Sequence, residues 1–349
     1  MIKTYQNGNY KVIMFDDGTK VRQCPDNEDF TPTFSENTDV CITKYCDAGC
    51  AFCYEGCSLN GEHADLFSPD YYPLLDSLHP YTEMALNGND LSHPQLDEFL
   101  LFLKEKKVYA NLTVNQIHFE RHYDKIKEYV DKKLIYGLGV SLVNPTQEFI
   151  KKIKPFKNAV IHVINGILKL SDIDALRGHG LKILILGYKS LKRGISYQEK
   201  HSEEIQERMN ILEKLLRSIL HSSVETHESW FKVISFDNLA LEQLHLPFDT
   251  MDKEEWDKQY MGDDGKYTFY IDLVNGTYAK NSVSHFRYPI NGKTIDEMFQ
   301  HISGQKPYDG VVYTDYVLQE NCPTVGNFNE EILNKKVKQE YITLWQLKN

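Results

Sequence analysis

The sequence predicts an α/β protein built on a partial barrel of six strand–helix units, a (β/α)6 arrangement. Two observations predict this fold. Short apolar segments alternate with longer segments of helical periodicity from about residue 37 to residue 220. The short segments are rich in β-branched or aliphatic residues, as in parallel strands buried on both faces. Because six units are too few for a closed eight-stranded barrel, we expect a partly open barrel or a wound sheet.

The first 35 residues precede this alternation and predict a small β-hairpin element. Turn signals at residues 7–9 (Asn-Gly-Asn) and 16–18 (Asp-Asp-Gly) flank the segment 10–15. We assign residues 1–35 to this element, 36–245 to the barrel and 246–349 to an α+β C-terminal extension.

The barrel strands are predicted at residues 39–43, 83–86, 109–114, 136–142, 159–164 and 182–187. The best-marked helix begins after His93-Pro94 and repeats apolar residues at i, i+3, i+4 and i+7 from Leu96 to Leu103. Further helices are predicted at residues 119–134, 146–153, 171–176 and 196–220.

The regular alternation ends after residue 222. A strand at 231–236, a short helix at 253–260 and a hairpin around Asn275-Gly276 are predicted next. A helix at 294–301 should follow, because Thr294 and Glu297 have capping-box spacing.

The composition is that of a globular protein with a formal net charge of −11. This charge argues against a broadly basic nucleic-acid groove, so we expect no nucleic-acid partner. The sequence starts without a cationic region and apolar run, and its longest apolar stretches have strand length. We therefore expect a cytoplasmic protein with no membrane segment.

The cysteines are the most informative residues. Five of the seven lie between Cys41 and Cys57, which excludes a distributed disulfide framework. The central pattern is Cys46-Asp-Ala-Gly-Cys50-Ala-Phe-Cys53, directly after the first barrel strand. Three thiolates at this spacing can hold an iron–sulfur cluster with one iron left open. Structural zinc and a chance cluster of thiols stay open as alternatives, whereas the fourth cysteine of a ferredoxin motif is absent.

This CxxxCxxC motif at the end of the first strand of a six-unit barrel resembles the radical S-adenosylmethionine (radical SAM) superfamily over about residues 37–244. The resemblance implies a [4Fe–4S] cluster on Cys46, Cys50 and Cys53, with the open iron chelating S-adenosylmethionine (SAM). It also implies a reductant such as flavodoxin or ferredoxin. One-electron reduction would cleave SAM to a 5′-deoxyadenosyl radical that abstracts a substrate hydrogen.

The resemblance also implies residues that contact SAM, each with a purely structural alternative. The superfamily's Gly-Gly-Glu-Pro-like stretch after strand two is replaced here by Asn87-Gly88-Asn89-Asp90, a departure that retains one glycine and one acidic residue. The other implied positions are Phe52, Asn115, Ser141, Gly187 and Tyr188.

Further residues lie near these motifs without a defined role. Lys189, Lys192 and Arg193 could hold a carboxylate or phosphate, or form a solvated basic face. The residues after the cysteine motif, namely Glu55, Cys57 and His63, could approach substrate or merely shield the cluster.

The chain looks similar to uncharacterised radical SAM proteins of phages and mobile elements, and its end resembles a SPASM-type extension. Only Cys322 remains there, too few to hold an auxiliary cluster. We expect a peptide or protein side chain as substrate, with a nucleotide or nucleobase as the alternative. A non-enzymatic iron–sulfur or zinc module, or a degenerate member acting as an interaction protein, are the other function classes.

Overall fold

The computed structural model describes residues 3–16, 18–24, 29–89, 91–220, 230–245 and 264–304. The described chain forms a three-stranded antiparallel sheet and a ten-stranded mixed sheet. Seven strands of the large sheet lie in the predicted barrel region and three in the predicted C-terminal extension. No closed barrel is present among the described residues, because the two outer strands of the sheet are not paired with each other.

The strands of the large sheet are β4 (Asn37–Cys41), β5 (Glu83–Asn89), β6 (Tyr109–Asn115), β7 (Gly137–Ser141), β8 (Ala159–Ile164), β9 (Lys182–Leu186), β10 (Val233–Phe236), β11 (Thr268–Asp272), β12 (Thr277–Ala279) and β13 (Tyr288–Pro289). Eight of them run parallel, because β10 and β11 extend the six predicted barrel strands at either edge. Neighbouring strands from β10 to β4 follow chain order, so the helical connections lie on one face of the sheet. Strands β11, β12 and β13 continue the sheet beyond β4, with β11 parallel to β4 and the last two antiparallel.

The expectation that these strands are buried on both faces was wrong. In β6, β8 and β9, buried residues alternate with partly exposed ones. One face packs against the helices and forms the main core, whereas the other lines a cavity. The strand sequences still look uniformly apolar because several cavity-facing positions carry aliphatic side chains.

The helices are α1 (Tyr72–Asp76), α2 (Leu96–Glu105), α3 (Gln116–Arg121), α4 (Tyr123–Asp131), α5 (Gln147–Ile153), α6 (Leu170–Leu176), α7 (Arg193–Leu220), α8 (Asn238–Leu244) and α9 (Ile295–Ser303). Two of them, α1 and α8, were not predicted, and the others lie close to their predicted positions. The predicted helix 119–134 is two helices, α3 and α4, separated at His122, whose φ of −114° and ψ of 29° end the first. The long helix α7 begins at Arg193 and is interrupted at His201.

The N-terminal element has three strands, β1 (Lys3–Asn7), β2 (Tyr10–Met14) and β3 (Lys20–Gln23). Its second turn lies at the amino end of the barrel. The Tyr136 hydroxyl donates to the carbonyl of Phe15 over 2.7 Å, and the Asn158 amide donates to the carbonyl of Asp16 over 3.2 Å. This turn therefore covers the end of the barrel opposite the cysteine loop.

The capped helix α9 confirms the capping-box prediction, since Thr294 and Glu297 exchange hydrogen bonds. The predicted helix 253–260 and Cys322 lie outside the described residues. No described helix is both long and apolar enough to cross a membrane.

Candidate active site

The inner face of the curved sheet encloses a cavity of about 850 Å³. Successive strands each contribute an inward side chain, because alternate residues of a strand point to the same face. Phe52, Tyr54 and Glu55 of the cysteine loop cover its carboxyl end. The strand residues that line it include Asp39, Asn87, Thr113, Ser141, His162, Leu186 and Tyr270.

The cysteine loop follows the carboxyl end of β4, which ends at Cys41, two residues before the predicted end of the strand. The base of the loop is a short ladder in which the Lys44 amide donates to the Glu62 carbonyl over 2.8 Å. The Ser58 amide donates to the Lys44 carbonyl over 3.1 Å, and the Cys46 amide donates to the Ser58 carbonyl over the same distance. This ladder closes the loop and presents residues 46–57 at the carboxyl ends of the strands.

Two of the three predicted ligands lie side by side in a tight turn. The Cys53 amide donates to the Cys50 carbonyl over 3.3 Å. A hydrogen bond from Cys57 lowers the pKa of the Cys53 thiol and so favours its thiolate. Burial raises the pKa of the Cys50 thiol.

The donor set of the loop fits an iron–sulfur cluster. Among the described residues, no three His, Cys, Asp or Glu side chains converge closely enough to hold a single metal ion. A cubane cluster instead takes one thiolate at each of several irons, so its ligands need not meet at one point. Three cysteines on one loop, with Cys53 predisposed to ionise, match that requirement.

Asn87 and Asn89 hold the start of the loop with their side chains. The Asn87 amide oxygen accepts from the Ile42 amide over 2.7 Å, and its nitrogen donates to the Thr43 carbonyl over 3.0 Å. The Asn89 amide donates to the carbonyls of Thr43 and Tyr45 over 3.2 and 3.0 Å. Both side chains therefore have a structural role. The predicted contact with SAM stays a prediction, and within this stretch it would fall to the backbone.

Asp47, inside the cysteine motif, is bound to helix α3. Its carboxylate accepts from Nη1 of Arg121 over 2.7 Å and faces Nε2 of the fully buried His118. These contacts, the Arg121 bond first, lower the pKa of Asp47. The other ring nitrogen of His118 lies 2.9 Å from the Asn89 carbonyl oxygen, so His118 links the cysteine loop to the end of β5.

The remaining predicted residues lie around the cavity in different ways. Phe52 lines it and packs edge-on against Tyr197. Asn115 caps α3 and directs its amide toward the Cys50 sulfur at 3.6 Å. Ser141, Gly187 and Tyr188 also line the cavity. Gly88 falls within β5, and Asp90 lies outside the described residues.

Gly187 and Tyr188 connect β9 to the elements that follow it. A Cβ atom at Gly187 would lie 2.7 Å from the backbone of Leu239, so glycine is required for this close approach. The Tyr188 side chain is buried, and its hydroxyl donates to the Gly194 carbonyl over 2.7 Å. Tyr188 thus fixes the start of α7 as well as forming part of the cavity wall.

The three residues after the cysteine motif that could approach a substrate, Glu55, Cys57 and His63, differ in whether they border the cavity. Glu55 lines the cavity and pairs with Lys44, which also lies 3.5 Å from Asp272. Cys57 is buried, and Nδ1 of His63 lies 2.8 Å from the Thr43 hydroxyl. Of these three candidates, Glu55 is the residue that borders the cavity.

Two titratable residues of the cavity wall were missed from the sequence. Asp39 accepts one hydrogen bond from Asn37 and is exposed to the solvent of the cavity, and desolvation within the barrel raises its pKa to about 6 against the smaller opposing influence of Lys189. His162 faces the cavity beside Thr113, and burial lowers its pKa to about 4, leaving a neutral imidazole. A titratable residue inside an otherwise apolar strand is the signal that could have identified His162. The strand of Asp39 is largely polar and offers no such signal.

Two solved structures have a similar fold. The crystal structure of Streptococcus suis SuiB bound to S-adenosylmethionine matches with a TM-score of 0.50 and 14% sequence identity, covering 78% of this chain and 69% of that one. SuiB bound to precursor peptide SuiA matches with a TM-score of 0.51 and 14% identity, covering 81% and 70%. The sequence matches no protein-family model and no curated protein. At this identity the likeness shows a shared fold.

Proposed function

We propose that the chain is a radical SAM enzyme that acts on a hydrogen of a peptide or protein side chain. The observation that carries the proposal is the position of the three-cysteine loop, at the carboxyl end of β4 and over a cavity of about 850 Å³. The fold likeness to SuiB, which was crystallised with S-adenosylmethionine, supports membership of the superfamily.

Cys46, Cys50 and Cys53 would hold a [4Fe–4S] cluster at this place. When bound and reduced by one electron, the cluster with SAM supplies a 5′-deoxyadenosyl radical that abstracts a hydrogen atom from the substrate. Phe52 within the loop and the Asn87–Asn89 stretch beside it would border the SAM molecule. Ser141, Gly187 and Tyr188 would border it from the opposite wall.

The cavity has the size and lining of a substrate site. Its volume lies in the upper part of the range for ligand pockets, about 300–1,000 Å³. Its wall combines aliphatic residues with polar groups such as Asp39 and His162, which could orient a side chain. A peptide substrate is supported by the fold likeness to SuiB bound to precursor peptide SuiA.

The test of the enzyme proposal is SAM cleavage by the anaerobically purified and iron–sulfide-reconstituted protein. With SAM and dithionite, 5′-deoxyadenosine should form, and Ala at Cys46, Cys50 and Cys53 should abolish both cluster absorption and product. Cys24→Ala is the matched control, because Cys24 is half-buried in the N-terminal element and should retain both. Bound zinc without cluster absorption would refute the proposal.

The substrate class can be tested without knowing the substrate. The reconstituted enzyme is given SAM and either a perdeuterated peptide digest or perdeuterated nucleotides. A peptide substrate predicts deuterium in 5′-deoxyadenosine from the digest alone. Deuterium from the nucleotides alone would establish the nucleotide alternative instead.

A further inference from the structure

The first turn of α7 lies against the cysteine loop. Nε of Arg193 donates to the Cys50 carbonyl over 3.0 Å, and Nη1 donates to the Cys57 carbonyl over 2.8 Å. One planar guanidinium thus joins two backbone positions on either side of Cys53. A lysine ammonium cannot reproduce this contact, because it lacks the fixed fork of donors.

The packing of the same turn shows how closely the helix approaches the loop. A Cβ atom at Gly194 would lie 2.4 Å from the Lys189 carbonyl oxygen and 3.6 Å from that of Phe52. Tyr197, one turn later, meets the Phe52 ring with centroids 5.6 Å apart. These contacts seat the second half of the loop on α7.

The first half of the loop is attached elsewhere. Asp47 binds His118 and Arg121 of α3, whereas Arg193 binds the stretch from Cys50 to Cys57. The loop is therefore tied by two arginines from two separate helices. Loss of one attachment leaves the other in place, which makes their effects separable.

We propose that Arg193 is a positioning residue that sets the arrangement of Cys50 and Cys53 by tying the carbonyls of Cys50 and Cys57 to helix α7. Its place just after β9 suggested a ligand for a carboxylate or phosphate, but its guanidinium is committed to these two carbonyls. Because every contact lies within the chain, Arg193 orders the loop before any cofactor binds.

The first test uses hydrogen exchange of the cofactor-free protein. In Arg193→Ala, amides of the segment 50–57 should exchange at least about ten-fold faster, since hydrogen bonds from a charged donor are lost. Arg193→Lys should give an intermediate rate. Arg208→Ala is the matched control on the same helix, because Arg208 donates to the Ile167 carbonyl over 3.1 Å and not to the loop. Its loop exchange should equal that of the unmodified protein.

The second measurement is the rate at which a chelator removes iron from the reconstituted protein. Iron should leave Arg193→Ala about ten-fold faster than Arg208→Ala, with Arg193→Lys between them. Unchanged loop exchange in Arg193→Ala, or equal effects of Arg193→Ala and Arg208→Ala, would overturn the proposal. If Arg193→Ala does not fold, the same comparison between Arg193→Lys and Arg208→Ala decides it.

The hydrogen-exchange result is independent of the proposed enzyme function. Faster loop exchange in Arg193→Ala, together with bound zinc and no cluster absorption in the unmodified protein, would retain this inference and refute the function. SAM cleavage by the unmodified protein, together with unchanged loop exchange in Arg193→Ala, would retain the function and refute this inference.

Discussion

Gly61 provides the sharpest structural test of the cysteine loop, because its side of the base ladder has no room for a side chain. A Cβ atom there would lie 1.9 Å from the Lys44 carbonyl oxygen and 2.6 Å from the Tyr45 amide nitrogen. Both neighbours are backbone atoms, so the Gly61→Ala variant can relieve the overlap only by separating residues 44–45 from residue 61. That separation would strain the ladder bonds between Lys44 and Glu62 and between Ser58 and Lys44.

We expect Gly61→Ala to lower the free energy of unfolding by about 2–4 kcal/mol, which combines overpacking with weakened hydrogen bonds. Gly49→Ala is the control in the same loop. Gly49 has a φ of +63° and no atom within 4 Å of a built Cβ, so it should cost only about 1 kcal/mol, from backbone strain. Urea unfolding followed by circular dichroism measures both. A Gly61→Ala protein no less stable than Gly49→Ala would refute the steric reasoning.

Three further predictions concern the barrel wall and the C-terminal helix. Asp39 is exposed to the solvent of the cavity, but desolvation within the barrel still raises its pKa from 3.8 to about 6, so its ionised form costs stability above that pH. Asp39→Asn should therefore be slightly more stable than the unmodified protein at pH 8, by at most about 1 kcal/mol because solvent screens the carboxylate, and the gain should vanish as pH falls to 4. A gain independent of pH in urea titrations would contradict this. Gly139→Ala should cost about 1–3 kcal/mol in urea unfolding, because its Cβ would lie 2.4 Å from the His162 ring. The cost should shrink in a His162→Ala background, and strictly additive effects would refute the contact. Thr294→Ala should lower the free energy of unfolding by about 1 kcal/mol in the same assay, since it removes the hydroxyl that accepts a hydrogen bond from the Glu297 amide. An unchanged free energy of unfolding would contradict this.

The strands of the barrel could be predicted because local composition determines them. Each of the six predicted segments overlaps an observed strand from β4 to β9. The helix break at His122 was missed, because the apolar periodicity continues through it and nothing in the local sequence marks the change in backbone angles. The parallel pairing of β11 with β4 was also missed, since it joins segments far apart in the chain and only the folded geometry brings them together.

The cysteine loop was predictable, but its supports were not. The spacing of Cys46, Cys50 and Cys53 identifies candidate ligands without any structure. The attachment of Asp47 to α3 and of Arg193 to the loop depends on how two helices dock against the sheet. No local pattern distinguishes an arginine that holds two carbonyls from one that faces solvent, so Arg193 was left between a ligand role and a basic surface.

The pairing of β4 with β11 has a consequence for the order of events during synthesis. Residue 37 pairs in register next to residue 268, and the Leu273 amide donates to the Cys41 carbonyl over 2.9 Å. At a synthesis rate of about 5–20 residues per second, this partner strand emerges roughly 10–45 seconds after β4. The cysteine loop leaves the ribosome long before one wall of its supporting sheet exists. The strand that leads into the cysteine loop therefore has no β11 neighbour until the chain has been made beyond residue 272.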